Sequence, residues 1–306
     1  MENQCIGLAE AMSLDPEIKR IKTKKPWRWL PPQLWISPLQ QLKTDGDQLA
    51  PPWPDTLISC GRQAIPMSIA IKKASKGKTF TVHIQTPNTS PSHFDLVIVP
   101  KHDRLRGPNV IVSEGSLTRI TPEKLKTESN QFPDIIPAVP HPIVAVLVGG
   151  SNRCYSMTAP VVKKLCDDLK KLHQHTGCFF LVTASRRTGD ENTVTLKETL
   201  SKLPHYFWDG SGDNPYFAFL EKADAIIVTA DSVNMVCEAV SAGKPTLVFD
   251  LEGGNRKFNY FHDRMKKQNY TRAFEGSLPS WDQPVLRESQ RVAEIVRQKY
   301  QDRPSP

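Results

Sequence analysis

The sequence predicts a two-domain α/β protein whose mainly parallel sheets are flanked by helices. Three observations carry this expectation. The chain has 306 residues, enough for two cores of ordinary size. Short apolar runs alternate with helical periods in both halves, the pattern of strands feeding crossover helices. Between the halves lies Thr121–Pro142, polar, without an apolar period and holding five prolines, which is the composition of a linker.

The first residues read as a helix, because Cys5, Leu8, Ala9 and Met12 fall at i, i+3, i+4 and i+7 before Asp15-Pro16. From Lys22 to Pro54 the chain holds four of its six tryptophans among many prolines, and little regular structure is expected there. Thr56–Cys60 then reads as a strand, Ile65–Lys73 as a helix, and Phe80–Ile84, Phe94–Val99 and Val110–Val112 as short strands. Beyond the linker, Pro142–Val148 is a buried-strand pattern, and Val162, Leu165, Cys166, Leu169 and Leu172 form one helical stripe. Strand Phe179–Thr183, helices Val194–Leu203 and Tyr216–Lys222, strand Ala225–Val228, helix Val233–Ala242 and strand Thr246–Phe249 continue the alternation. A last amphipathic helix runs from Pro284 to Tyr300. The expected division is therefore an N-terminal domain of residues 1–125 joined by the helix at 284–300, a linker at 126–142, and a C-terminal domain at 143–280.

With 40 Lys and Arg against 32 Asp and Glu, the net charge of +8 favours anionic partners. Six isolated cysteines with apolar neighbours, and no C-x-x-C pair, read as buried free thiols. No apolar stretch is long enough to span a bilayer and no signal-type segment opens the chain, so the cytoplasm is the expected location. No metal or other cofactor is expected: Asp45-Gly46-Asp47 lies outside any strand end, and His173 and His175 point to different faces of a helix.

In a doubly wound sheet, ligands sit beyond the carboxyl ends of strands. Three segments of the second half occupy that position. Gly149-Gly150-Ser151-Asn152-Arg153 offers glycines that let backbone approach a phosphate, with Arg153 adding charge; a tight turn is the competing explanation. Thr183 and Ser185-Arg186-Arg187 supply hydroxyls and guanidiniums able to grip a diphosphate. The third runs through Thr229, Asp231 and Ser232, with Ser232 placed as an N-cap and Glu238 two turns on, where a carboxylate can accept both hydroxyls of a ribose.

The run Ala223-Asp224, Thr229, Asp231-Ser232, Glu238-Ala239 and Gly243-Lys244-Pro245 resembles the donor-nucleotide signature of glycosyltransferases built from two Rossmann-like domains facing a cleft, the GT-B-like arrangement. That resemblance implies a nucleotide diphosphate sugar as donor substrate, Glu238 on its ribose and the turn at Ser232 facing its phosphates. A second resemblance covers nearly the whole chain. Glu2-Asn3-Gln4-Cys5, Cys60-Gly61-Arg62-Gln63-Ala64-Ile65-Pro66, the Phe94–Val110 run and Glu252-Gly253-Gly254-Asn255-Arg256-Lys257-Phe258 are similar to the mitochondrial fission, or elongated-mitochondria, family. Plant members of that family recruit a dynamin-related protein at the mitochondrial surface, and this chain resembles the bacterial branch. Asn255 and Arg256 join the nucleotide-binding set on this basis. Family members carry a strand and a glycine-containing loop before the Glu2-Asn3-Gln4 helix; this chain begins at the helix, so the expectation is a truncated start or a first sheet lacking a strand near its middle.

A cleft would bring N-terminal groups opposite the donor loops. Arg62 and Gln85 are the acceptor-side candidates, and His102, Asp103 and His83 the catalytic ones, since a histidine near neutral pKa can deprotonate an acceptor hydroxyl. Finally, Lys19–Trp29 mixes six basic residues with two tryptophans. Through Lys22–Trp29 it suits an anionic membrane surface at the inner face of the membrane, or packs as a solvated loop; no nucleic-acid module surrounds it. Two functions follow as expectations: a metal-independent glycosyltransferase-like enzyme, or a non-catalytic adaptor that recruits a protein partner at a membrane.

Overall fold

The computed structural model describes residues 1–135 and 142–303. They fall into two compact units: residues 1–119 together with 287–306, and residues 120–286. The expected bounds lay at 125 and 143, and residues 136–141 of the expected linker lie outside the described residues. Much of the remaining stretch is structured. Thr121 caps a helix, α3 (Pro122–Ser129), whose Leu125 is buried in the core of the second unit. A single buried leucine in eight residues leaves no readable period, which is why the stretch reads as linker.

The first unit opens with α1 (Glu2–Ala11) and continues with β1 (Thr56–Cys60), α2 (Ala64–Ala74), β2 (Phe80–Ile84), β3 (Leu96–Pro100) and β4 (Val110–Ser113). The four strands form an unbroken parallel sheet in the order β1-β2-β3-β4, so no gap occurs near its middle. Leu8, Val82, Ile84 and Ile98 pack on Val292, Ala293 and Val296 of α9 (Glu288–Gln301), which returns from the far end of the chain. Its N-terminal turn is bonded down: Ser289 Oγ accepts from Thr118 N and donates to Thr118 O, both at 2.8 Å, and Glu288 accepts from Glu114 N at 2.8 Å.

The second unit carries, in chain order after α3, β5 (Ile143–Val148), β6 (Tyr155–Ser156), α4 (Ala159–Thr176), β7 (Phe179–Ala184), α5 (Asp190–Leu200), β8 (His205–Trp208), α6 (Tyr216–Lys222), β9 (Ala225–Thr229), α7 (Val233–Ser241), β10 (Thr246–Phe249), β11 (Glu252–Gly253), α8 (Arg256–Lys267) and β12 (Arg272–Ala273). Its six-stranded sheet is parallel throughout, in the order β12-β10-β9-β5-β7-β8. β5 and β9 are buried almost end to end, as strands covered on both faces must be. The chain builds outward from β5 through β7 to β8, then crosses back to β9 on the other side of β5. That reversal between β5 and β9 is a topological switch point, and the crevice beyond their carboxyl ends is where such sheets hold ligands.

The cysteines divide evenly. Cys166, Cys178 and Cys237 are buried as expected, whereas Cys5, Cys60 and Cys154 are half-buried.

Candidate functional site at the carboxyl ends of the second sheet

Each loop predicted to bind an anion leaves a strand at or beside the switch point: 149–153 follows β5, 185–188 follows β7, and 230–232 follows β9. They are bonded into one assembly around the Asp231 carboxylate, whose side chain is fully buried. Arg187 Nη2 donates to Asp231 Oδ2 at 2.6 Å, and Thr229 Oγ1 donates to Oδ1 at 2.7 Å while accepting from Gly149 N at 2.8 Å. Ser185 and Thr188 hydroxyls both donate to Gly149 O, and Asn152 Nδ2 donates to Asp231 O at 3.2 Å. A buried carboxylate is tolerated here because it is paired with a guanidinium and hydrogen-bonded on both oxygens.

This geometry changes the reading of the two glycines. A Cβ on Gly149 would overlap the Asp231 carboxylate, and one on Gly150 would overlap the backbone at Arg187. The glycines therefore admit neighbouring loops of the protein itself, which is a sufficient reason for them. Ser151 and Asn152 are likewise committed to loop building: Ser151 Oγ accepts from Met157 N, and Asn152 Oδ1 accepts from the backbone N–H groups of Cys154 and Tyr155. Arg153 and Arg186 are exposed at the same end of the sheet, and Thr183 is half-buried at the end of β7.

α7 begins at the switch point. Ser232 caps it as the spacing predicts, its hydroxyl accepting from Met235 N at 3.3 Å, so the positive end of the helix lies beside the assembled loops. Further along α7, Glu238 Oε2 accepts from the Tyr216 hydroxyl at 2.7 Å. Burial pushes the Glu238 carboxyl above its ordinary range, with the Tyr216 hydrogen bond acting the other way. Burial and the neighbouring Glu238 carboxylate together raise the Tyr216 phenol well above its ordinary value. Asn255 accepts from Lys257 N and Phe258 N as the N-cap of α8, and its Nδ2 reaches Cys154 Sγ at 2.9 Å. The short β6–β11 ribbon thus sets Asn255 beside the end of the first loop, with Arg256 exposed next to it.

Two residues of this region escaped the sequence reading. Tyr216 reaches Glu238 across 22 positions, and no local pattern announces that contact. His262, on α8, is buried and bonds through Nε2 to Ala230 O at 2.8 Å, holding the loop after β9 from behind. Burial lowers its pKa, so the neutral ring is favoured. A signal for α8 did exist: Phe258, Phe261, His262 and Met265 stand at i, i+3, i+4 and i+7.

The first-unit candidates follow β1, β2 and β3, at the carboxyl end of their own sheet. His83 departs from its expected role. It sits on β2, between two other strands, only 1 % exposed and bonded through Nδ1 to Ser59 Oγ at 3.0 Å. Burial pushes its imidazole down to about 4, which removes it as a base of near-neutral pKa. Asp103 is buried and accepts from Thr86 Oγ1 at 2.6 Å, with His102 half-buried beside it. Gln85 continues β2 with φ of 83° and donates its backbone N–H to Ile98 O at 2.8 Å. Arg62 Nη2 donates to Trp29 O at 2.8 Å, tying the β1–α2 turn to the tryptophan segment. Asp45 pairs with Lys22 at 3.1 Å and Asp47 accepts from Arg20 N at 2.6 Å, so this acidic pair is fastened to the Arg20–Lys22 stretch. Among the described residues, no group of three or more His, Cys, Asp or Glu is arranged to hold a metal ion, and no helix is long and apolar enough to cross a membrane.

Comparisons with known proteins add a family. Among solved structures, the chain is similar to Acinetobacter baumannii MurG (13 % identity, TM-score 0.46, covering 80 % of this chain and 73 % of that one). It is also similar to a putative UDP-N-acetylglucosamine 2-epimerase of Listeria monocytogenes (11 % identity, TM-score 0.49, covering 83 % and 76 %). It is 28 % identical to the mitochondrial fission protein ELM1 of Arabidopsis thaliana over 80 % of this chain, a match that spans 64 % of the plant protein. An uncharacterized protein of Rickettsia prowazekii is also 28 % identical, over 80 % of this chain and 79 % of the relative. The family model described as mitochondrial fission ELM1 matches residues 1–300, and the chain belongs to that family.

Proposed function

We infer that the 120–286 unit binds a nucleoside diphosphate, free or carrying a sugar, beyond the carboxyl ends of β5, β7 and β9, and does so without a metal ion. One observation carries the reading: the switch point between β5 and β9 coincides with the start of α7, and the same helix brings Glu238 two turns further along. In this reading the positive end of α7 and the exposed Arg153 and Arg186 neutralise the diphosphate, and Glu238 Oε1 accepts from the ribose while Tyr216 occupies Oε2. Glycosyl transfer is the fuller form of the proposal.

The commitment of Arg187 to Asp231 favours a second reading, a scaffold that binds nucleotide without turning it over, because this guanidinium is already neutralised when no ligand is bound. Isothermal titration of the full chain with uridine, guanosine, cytidine and thymidine diphosphates and their sugars, with and without magnesium, tests the binding step. Magnesium-independent binding, weakened at least ~10-fold in Glu238→Ala, is expected; removing hydrogen bonds to an ionised group is of that size. Absence of heat with every nucleotide, or binding that Glu238→Ala leaves unchanged, defeats the proposal. Binding without release of sugar to any acceptor selects the scaffold.

A further inference from the structure

The segment between Thr23 and Leu42 is a closed loop with an inside and an outside. An isolated antiparallel bridge joins Thr23 to Leu42, and Lys24 N donates to Gln41 O at 2.9 Å and Lys43 N to Lys22 O at 2.8 Å across its neck. Within it the chain makes three single 3-10 turns, Trp27–Trp29, Pro32–Leu34 and Pro38–Gln41, and the latter two rest on α2. Trp27 and Trp35 turn inward, their rings 6.0 Å apart, with Trp35 Nε1 donating to Leu30 O at 3.2 Å. Arg62 and Gln63, at the start of α2, hold the loop by bonds to Trp29 O and the Thr23 hydroxyl. The loop's shape is therefore set by the protein.

Its outside is unlike the rest of the surface. Trp29, Leu34 and Ile36 are 63 %, 59 % and 71 % exposed, three of the nine large apolar side chains left in solvent among the described residues. Lys24, Lys25 and Arg28 are exposed among them, with Lys25 Nζ 5.3 Å from the Trp29 ring centre. No Asp or Glu occurs anywhere from Lys22 to Thr44. A water-facing loop held in one shape does not need three large apolar groups projecting from it, and a protein interface tends to exclude lysine from its centre. A nucleic-acid strand would use aromatic faces, whereas Leu34 and Ile36 have none. Tryptophan at headgroup depth, aliphatic side chains below it and cations at the phosphate level is the order in which an anionic bilayer is layered.

We propose that the Thr23–Leu42 loop docks this protein on the surface of an anionic phospholipid bilayer, inserting Trp29, Leu34 and Ile36 between headgroups while Lys24, Lys25 and Arg28 lie against the phosphates. This docking is independent of the nucleotide reading, since it uses only the first unit.

Co-sedimentation of the full chain with phosphatidylcholine vesicles, with and without phosphatidylglycerol, tests it. Binding only to the anionic vesicles, and falling with added salt, is expected. Lys25→Glu/Arg28→Glu should weaken it at least ~25-fold, at roughly five-fold for each basic residue near the surface. Trp29→Ser/Leu34→Ser/Ile36→Ser should weaken it at least ~10-fold through the lost apolar insertion. Both variants should melt with the wild type, because the altered side chains are exposed. Lipids brominated in the acyl chain should quench tryptophan fluorescence in the wild type and much less in Trp29→Phe, a readout that only insertion moves. Equal binding to neutral vesicles, wild-type binding by the apolar variant, or quenching unchanged in Trp29→Phe overturns the proposal. So does retention on single-stranded oligonucleotide without vesicle binding, which would reassign the loop to nucleic acid.

Discussion

Gly149→Ala tests whether the loops at the end of the second sheet are held by contact with Asp231. Gly149 lies outside the left-handed backbone region, so the new methyl is resisted by contact alone. The buried carboxylate must move, and in moving it leaves the Thr229 hydroxyl at 2.7 Å and Arg187 at 2.6 Å. Hydrogen bonds to a charged group contribute ~1.5–3 kcal/mol each, and overpacking costs a further ~1–3 kcal/mol. Relocation of the carboxylate to water returns part of this, leaving a net loss of about 3 kcal/mol, or ~6–12 °C in melting temperature for a unit of this size. In an Asp231→Ala background the methyl meets no carboxylate, and the same change should cost less than ~1 kcal/mol, a coupling of about 2 kcal/mol. The four proteins of this cycle can be compared by thermal melting and urea unfolding, with hydrogen exchange over 149–153 and 185–188 to localise the effect. Costs that add to within ~0.5 kcal/mol would show that the two residues do not press on each other, and the account of the glycine would fall.

Two predictions concern ionisation. The imidazole of His83 is lowered in the folded state from 6.5 to about 4, so the unfolded chain takes up a proton first as the pH drops. Its contribution is intact above pH 6.5 and is lost progressively toward pH 4, reaching about 3 kcal/mol at ~1.4 kcal/mol per pH unit. His83→Asn should therefore flatten the stability curve across that window, and curves that stay parallel to wild type refute the assignment. Glu238 runs in the opposite sense. Its folded carboxyl is raised, so ionisation above the ordinary value of 4.5 works against the native state. Glu238→Gln, which can still accept from Tyr216, should melt above wild type at pH 7, the gap closing as the pH falls below 4.5, while nucleotide binding is lost. A Gln variant that melts lower at pH 7 would contradict this.

The fold was legible wherever burial imposed a period. α7 was expected at Val233–Ala242 and occurs at Val233–Ser241; the strands from β1 to β10 were expected within a few residues of where they occur, apart from β6 and β8. β8 escaped although Tyr206-Phe207-Trp208 is an aromatic run of strand-forming type: it is four residues long, all half-buried at a sheet edge, and shows no alternation. α5 begins at Asp190, four residues before the expected Val194, because its first turn is exposed and acidic, suited to the helix dipole but silent in an apolar pattern. The strand-end loops were legible and the bonds between them were not. Strand-end loops can be found one at a time, but what Gly149 admits is Asp231, 82 positions away (231 − 149), and what holds Glu238 is a tyrosine on another helix. Contacts of that kind have no local trace.

The return of α9 to the first unit has a consequence for how the chain is made. Residues 120–286 leave the ribosome as one uninterrupted stretch and can close their sheet as soon as they emerge. The earlier unit has no such freedom: Leu8, Val82 and Ile98 wait with one apolar face uncovered until Val292, Ala293 and Val296 have been synthesised. Translation thus finishes the middle of this protein before its beginning, and premature termination after residue 286 but before Val292 would release a nascent chain whose second unit is folded and whose first still exposes its core.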